Sequence, residues 1–226
     1  MTHDAGAVLD IACGGGAFTA RIAECSASYT RITGVDIKAA AEKGFMEALG
    51  GNAEFIASPV RDYLANAGAF DTISVSNALH HLEDVGEIVK ALPGHLNEGG
   101  TVIINEMHRD GLTPPQLTQH QQHRFLADLH RAAGEYHRET WSRPEIFAFV
   151  EAAGLSVLHV FEDRNEAAEV SRGSGRLIER ARAAVERAYP DGAPAAVGAE
   201  LEELDRRGAE IGSAPPPQLT LVCVVA

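Results

Sequence analysis

Histidine is the residue whose number and spacing first suggest chemistry in this sequence of 226 residues. The chain has ten histidines, and five of them fall within thirty positions: His108, His120, His123, His130 and His137. An imidazole can exchange a proton near neutral pH or bind a transition metal. His123, His130 and His137 are seven residues apart, so on a continuous helix they would share one face. Gly134 lies between the last two and could end or bend that helix.

Three interpretations of these histidines are open. They can be ordinary surface or hydrogen-bonding residues, or one or two of them can hold a substrate and act as general base. They can also bind Zn, Fe, Ni or Mn together with Glu106 or Asp128. The second interpretation is our working hypothesis, with His81 as the next candidate after the catalytic set of His123, His137, His80 and Glu106. We assign no metal ligands, because no acid lies at a diagnostic offset from the histidines.

A glycine-rich turn near the start of the chain could bind a ligand. The apolar run 7–11 predicts a buried strand, and residues 12–16 (Ala-Cys-Gly-Gly-Gly) separate it from a helix over 17–24. Glycines allow close approach of the backbone, and a helix N-terminus offers free N–H groups. The dinucleotide fingerprint G-x-G-x-x-G fails here, because its last glycine would be Thr19. Asp10 places a negative charge beside the turn, which favours a cationic ligand group. Cys13 is predicted to be a small buried side chain.

The elements that must position these residues alternate along the first half of the chain. Further strands are predicted over 30–36, 53–57, 70–77 and 101–106, and helices over 38–49 and 82–92. Strands separated by helices indicate a doubly wound, mainly parallel α/β sheet. The carboxyl ends of its strands, where ligands bind in such sheets, carry Asp36, Asn77 and Glu106.

The second half of the chain breaks this alternation. A polar, His/Gln-rich and largely helical stretch covers 112–136. A helix is predicted from Ser142, its N-cap, to about residue 153, and a sixth strand over 155–161. The Ala/Arg/Glu-rich stretch over 165–211 is interpreted as covering helices, with a Pro/Gly break over 190–198. The seventh strand covers 218–225.

Several segments resemble motifs of the class I S-adenosylmethionine (SAM)-dependent methyltransferases. The segment 8–16 is similar to the family's first motif, and Asp36 to the acid that holds the ribose hydroxyls. Residues 70–82 resemble the fourth-strand motif beside the reacting centre, and 96–102 the turn into strand five. The resemblance implies a Rossmann-like, doubly wound, seven-stranded, mainly parallel sheet whose last strand is antiparallel. It also implies SAM as cofactor, with seven candidate contacts: Asp10, Ala12, Gly14, Gly16, Asp36, Ser58 and Asn77.

The sequence departs from the family pattern in three places. Ala12 stands where glycine is common. The acid that usually follows strand three and binds the adenine amino group is missing, so Ser58 or Asp62 would have to replace it. Met1 lies only seven residues before Val8, whereas family members have one or two helices there. We expect that the insertion over 109–140 forms the lid, or that the start of the chain is truncated.

Composition narrows the class of partner. The chain has 19 Lys and Arg against 32 Asp and Glu, a net charge of −13, which argues against binding nucleic acid or an anionic membrane. Three scattered cysteines without a CxxC motif indicate a reduced, cytoplasmic protein. No apolar run approaches the roughly 18 residues of a membrane span, and no secretory signal is present.

The sequence therefore predicts one methyltransferase domain acting on an O, N or S atom of a small molecule. Within it we expect a cofactor-binding core over 1–108, the His-rich insertion over 109–140, a helix and strand over 141–165, a second helical insertion over 166–214 and the final strand over 215–226. A homodimer is conceivable through Leu201, Leu204 and Ile211. Two alternatives are an enzyme of the same fold that uses a His/carboxylate metal site for another reaction, and a non-catalytic cofactor-binding module.

Overall fold

The computed structural model describes residues 4–165, 167–173 and 175–226. The expectation about the start of the chain falls on the first three residues, which lie outside this part. The described residues contain seven strands: β1 (Ala7–Ile11), β2 (Arg31–Asp36), β3 (Ala53–Ala57), β4 (Phe70–Ser76), β5 (Leu96–Met107), β6 (Leu155–Asp163) and β7 (Gln218–Val225).

All seven strands form one sheet in the order β3-β2-β1-β4-β5-β7-β6. The first five strands pair in parallel, and β7 pairs antiparallel with both β5 and β6. The predicted Rossmann-like seven-stranded sheet, with its last strand antiparallel, is therefore confirmed. In such a sheet the carboxyl ends of β1, β2, β4 and β5 meet at one edge.

The predicted helices occur in the predicted order with small changes at their ends, and one short helix (Val60–Leu64) was not predicted. Within the described residues they are α1 (Ala17–Cys25), α2 (Glu42–Leu49), α3 (Val60–Leu64), α4 (Val85–Ala91), α5 (Pro114–Ala132), α6 (Arg143–Ala152), α7 (Arg176–Ala188) and α8 (Ala195–Glu210). The helix predicted over 38–49 divides into a 3₁₀ turn (Ala39–Ala41) and α2. Ser142 caps α6 as predicted, in a capping box with Glu145. No helix in the described part of the chain is long and apolar enough to cross a membrane.

Neighbouring residues of the central strands supply two separate hydrophobic clusters, because side chains alternate between the faces of a sheet. Leu9 belongs to the larger cluster, which includes residues of α3, α4 and α6. Val8 belongs to a smaller one with Ile32 and Phe45 of α2. These clusters fix the sheet between its helices and hold the carboxyl edge in place.

A third cluster joins the two insertions. Phe125, Leu126 and Leu129 of α5 pack with Ile178 of α7 and with two leucines of α8, Leu201 and Leu204. The leucines predicted to form a dimer surface thus pack within the chain. The homodimer remains a prediction, but these leucines do not support it.

Candidate active site

The carboxyl ends of β1, β2 and β4 bring the first group of candidate residues together. The parallel register pairs Asp10 with Gly34 on one side and with Ser74 on the other. The glycine turn after β1 opens a cavity of about 370 Å³, whose wall includes Asp10, Cys13, Gly15, Phe18, Asn77 and Asn105. This cavity, which we call the cofactor cavity, lies where doubly wound sheets bind their ligands.

Asp10 is a buried acid at the base of the cofactor cavity. Its carboxylate accepts hydrogen bonds from the hydroxyls of Ser74, at 2.6 Å, and of Thr19. Burial raises the pKa of Asp10 to about 6, although both hydroxyls act in the opposite direction. Thr19, the residue that breaks the dinucleotide fingerprint, therefore serves to hold this carboxyl. A cation bound in the cavity would favour its ionised form.

Asp36, at the end of β2, ties the glycine turn to the sheet. One carboxylate oxygen accepts the Gly14 N–H at 2.9 Å, and the other accepts the Lys38 N–H at 2.8 Å. The turn needs left-handed backbone at three candidate residues, with φ of +51° at Ala12, +50° at Gly14 and +75° at Gly16. A Cβ atom at Gly14 would meet no atom within 4 Å, so the space above the turn is open to a ligand.

Ser58 and Asp62 are the two residues proposed to replace the adenine-binding acid, and they differ in their distance from Asp36. Ser58 donates its N–H to the Asp36 carbonyl at 3.1 Å, and its hydroxyl donates to the carbonyl of Pro59 at 3.1 Å. Asp62 is exposed on α3. Ser58 is therefore the nearer of the two. Cys13, predicted to be buried, is only half-buried and lines the cofactor cavity; burial still raises the pKa of its thiol, which argues against a nucleophile.

Asn77 connects the cofactor cavity with a second cavity. It has a left-handed backbone (φ +47°), and its side-chain oxygen accepts the Met107 N–H at 3.2 Å. Asn77 lines the cofactor cavity and also a neighbouring cavity of about 510 Å³. We call it the acceptor cavity after the acceptor predicted from the sequence, and its wall includes His80, His81, Met107, His120, His123 and His137.

Three elements bring the histidines of the acceptor cavity together. His80 lies in a 3₁₀ turn after β4, His123 lies on α5, and His137 lies in the segment between α5 and α6. The centroids of these three rings are 4.8 to 5.5 Å apart. His137 is not on a helix continuous with His123, because α5 ends at Ala132 and Gly134, the residue expected to end or bend the helix, turns the chain with φ +83°.

The turn nevertheless returns the His137 ring to the helix face that carries the other two histidines. Its Nε2 lies 3.2 Å from Nε2 of His123, and its Nδ1 lies 2.9 Å from Nδ1 of His130. Burial lowers the pKa of His123 to about 3 and, together with the neighbouring imidazoles, lowers that of His137 as well. These rings are neutral at physiological pH, and each keeps a lone pair.

Glu106 contacts the histidine cluster, which consists of His80, His123 and His137, through His80. It is fully buried at the end of β5, accepts the Leu79 N–H at 2.9 Å and lies 3.1 Å from Nδ1 of His80. Nδ1 of His80 therefore carries the proton of this contact, and Nε2 keeps its lone pair. Asp128, the other acid considered as a metal ligand, is exposed and paired with Arg131, so it is not part of the cluster.

Other residues of the two cavities had no recognisable pattern in the sequence. Arg21 lines the cofactor cavity, and Thr140, Arg180 and Ser213 line the acceptor cavity. Arg21 lies one helical turn after Ala17, which is a usable signal for its position on the same face of α1. Arg180 and Ser213 come from a distant helix and loop, and only the tertiary packing places them here.

Comparison with known proteins gives one family. A family model described as a methyltransferase domain matches residues 2–160 of this chain. The ubiquinone biosynthesis O-methyltransferase of Vibrio parahaemolyticus is 30% identical over 107 residues, which make up 46% of this chain and 44% of that protein. This chain thus spans less than half the length of the curated relatives it matches.

Solved structures show the same fold. SAM-dependent methyltransferases from Geobacter sulfurreducens and Thiobacillus denitrificans, each in complex with S-adenosylhomocysteine, are 16% identical to this chain. Both cover the whole of it, with TM-scores of 0.59 and 0.58, and it covers 86% and 87% of those chains.

Proposed function

Because this chain belongs to the methyltransferase domain family, we propose that it transfers a methyl group from SAM to a small molecule in the acceptor cavity. The observation that carries the proposal is the position of Asn77, which lines both cavities. A cofactor in the first cavity and an acceptor in the second would meet at this residue. Methyl transfer is an in-line displacement and needs the two reactants side by side.

The cofactor cavity offers groups that suit the cationic part and the ribose of SAM. SAM supplies a methyl group on a positively charged sulfur. Asp10 places a buried carboxyl where a cationic ligand would favour its ionisation. Each oxygen of Asp36 accepts one backbone N–H and keeps a further lone pair for a ribose hydroxyl. The open space above Gly14 leaves room for a ligand against the backbone.

The acceptor is proposed to be a small molecule with a hydroxyl group. A cavity of about 510 Å³ is of the size that holds small ligands. The curated relatives are named O-methyltransferases, which favours oxygen over nitrogen or sulfur as the methylated atom. The net charge of −13 disfavours nucleic acid.

The histidine cluster is proposed to promote loss of the acceptor's proton. His80 is the imidazole proposed to take it directly, because its Nδ1 lies 3.1 Å from the Glu106 carboxylate, a contact that orients the ring. His123 is a weak base, since its pKa of about 3 means that it binds a proton poorly at neutral pH. His137 has its pKa lowered by the same cause, so its role is to position a ligand.

The test is release of S-adenosylhomocysteine from SAM in the presence of a panel of small phenols, alcohols, amines and thiols. We expect turnover with hydroxyl acceptors. Bound SAM without release of that product across the panel would favour another reaction on the same fold. Absence of SAM binding in calorimetry would refute the proposal.

The cofactor site has its own test. Asp36→Ala removes a charged partner of the ribose, and hydrogen bonds to charged groups contribute about 1.5–3 kcal/mol, so the Kd for SAM should rise about 10- to 100-fold. The control is Asp62→Ala, an exposed acid on α3, which should leave the Kd unchanged. Equal affinities for both variants in calorimetry would contradict the role of Asp36.

A further inference from the structure

Three imidazoles of the acceptor cavity are arranged like the ligands of a metal ion. His80, His123 and His137 each offer one ring nitrogen, and these atoms lie within 4.8 Å of one another. Their exposed fractions are only 1%, 8% and 1%. We propose that these three residues bind one divalent transition metal ion, with Zn²⁺ as the best match. Binding of the ion stands by itself, whereas its catalytic role rests on the proposed methyl transfer.

The spacing of two of the nitrogens already matches a coordination shell. Nε2 of His123 and Nε2 of His137 face each other at 3.2 Å. Two nitrogens bound to a tetrahedral Zn²⁺ at about 2.0–2.1 Å are about 3.3–3.4 Å apart. The ion would fit between these rings with little movement of either one, and the His80 ring, whose nitrogen lies within 4.8 Å of the other two, would complete the set by moving closer.

The second nitrogen of two of the rings is held as metal-binding histidines usually are. Nδ1 of His80 contacts the buried carboxylate of Glu106 at 3.1 Å, and Nδ1 of His137 contacts His130 at 2.9 Å. Such outer contacts fix the tautomer and direct the other nitrogen to the metal. Nδ1 of His123 is buried with no hydrogen-bond partner among the described residues. The polar contact of this ring is the one that its Nε2 makes with Nε2 of His137.

The donor set indicates the class of ion. Three neutral imidazoles suit Zn, Cu, Fe or Ni, whereas Mg²⁺ and Ca²⁺ prefer oxygen ligands. The carboxylate of Glu106 contacts the ligand His80 and would partly balance the positive charge of the buried ion. Three protein ligands leave a fourth position open, as in catalytic zinc sites.

All three ligands line the acceptor cavity, so an acceptor in that cavity could take the open position, which would give the ion a role in the proposed reaction. A hydroxyl bound there would lose its proton to solvent more readily, because the ion stabilises the alkoxide. The oxygen would then form a bond to the methyl carbon while the carbon–sulfur bond breaks and leaves its electron pair on sulfur. One proton is released for each methyl group transferred. The ion would thus take over from His80 as the group that activates the acceptor.

The test measures metal binding directly. Untagged full-length protein is stripped with EDTA and titrated with Co²⁺, whose tetrahedral complexes absorb strongly in the visible range, and then with Zn²⁺ in competition. We expect one Co²⁺ per chain. His123→Ala and His137→Ala should each weaken binding at least 100-fold, and Glu106→Gln should weaken it about 10- to 100-fold. The matched control His159→Ala changes an exposed histidine of β6 and should bind as the wild type does.

The outcomes separate this proposal from the proposed function. A wild type that binds no stoichiometric Co²⁺, or a His123→Ala variant that binds it equally well, overturns the metal site. SAM affinity, measured in every variant, reports folding because the cofactor cavity contains none of the three ligands. If His123→Ala loses SAM binding as well, His123→Gln repeats the test with a side chain that keeps a polar end. A bound metal without release of S-adenosylhomocysteine would support the site and contradict the methyl transfer.

Discussion

The buried carboxyl of Asp10 allows a quantitative test of how the cofactor cavity is built. Asp10 is 1% exposed, and burial raises its pKa from 3.8 to about 6. The substitution Asp10→Asn removes the charge and keeps the shape of the side chain. Its effect on stability should depend on pH, because only the wild type must keep a carboxylate away from water.

The size and sign follow from linkage. A pKa raised by about two units corresponds to about 3 kcal/mol, at about 1.36 kcal/mol per unit. Since the folded-state pKa lies above the unfolded one, the folded chain holds this proton between about pH 4 and pH 6, where the unfolded chain has lost it. The contribution of Asp10 to the free energy of unfolding therefore falls as the pH rises through this window.

Urea unfolding of both proteins between pH 4 and pH 7 measures the effect. The free energy of unfolding of Asp10→Asn, minus that of the wild type, should grow by about 2.4 kcal/mol over this range, because part of the effect is already present at pH 4. Asp71→Asn is the matched control with the opposite sign. The N–H of Ala7 and the amide of Asn97 lower the pKa of Asp71, so the wild type should lose its advantage over that variant as the pH falls.

Two results would refute this reasoning about Asp10. A difference between Asp10→Asn and the wild type that does not change with pH would mean that burial does not raise the pKa. A wild type that gains stability over the variant as the pH rises would mean that the hydroxyls of Ser74 and Thr19 outweigh burial. In either case the carboxyl would be charged in the empty cavity at pH 5.

Two further substitutions test the backbone around the site by urea unfolding. Gly34→Ala would place a Cβ 2.3 Å from the ring of Phe45, so it should lower the free energy of unfolding by about 1–3 kcal/mol. In the control Gly68→Ala the new Cβ meets no atom within 4 Å, so the loss should be far smaller. Equal losses in the two variants would contradict the close packing of β2 on α2. Ser142→Ala removes the N-cap of α6 and should cost about 1 kcal/mol, and an unchanged free energy of unfolding would show that the capping box is dispensable.

The sequence predicted the cofactor side of the site better than the acceptor side, and the reason is the range of the contacts. Asp10, Gly14 and Asp36 follow directly from the ends of two buried strands, and a parallel sheet brings such ends to one edge whatever else the chain does. The spacing of glycines and acids within these short segments is therefore enough to place them. No comparable local rule exists for Ser58, whose side chain contacts only its neighbour Pro59.

His137 illustrates why the acceptor side is harder to predict. The spacing of seven residues placed it with His123 and His130 on one helix face, yet the helix ends at Ala132. The ring still reaches the cluster because the left-handed turn at Gly134 sends the chain back. Helical periodicity gave a useful set of residues by a wrong route, since it cannot show where a loop returns to the surface of a helix.

The burial of the histidine cluster depends on helices that are far away in sequence. Gln122, beside His123 on α5, donates a hydrogen bond to the Leu204 carbonyl of α8 at 3.4 Å and accepts one from the Ser213 hydroxyl at 3.2 Å. The hydrophobic cluster shared by α5, α7 and α8 covers the same helix. Without this cover the rings of His123 and His137 would be hydrated, their pKa values would return towards 6.5, and charged rings at these distances would repel one another. We therefore infer that α7 and α8 keep water away from the acceptor cavity, which keeps the rings of His123 and His137 neutral.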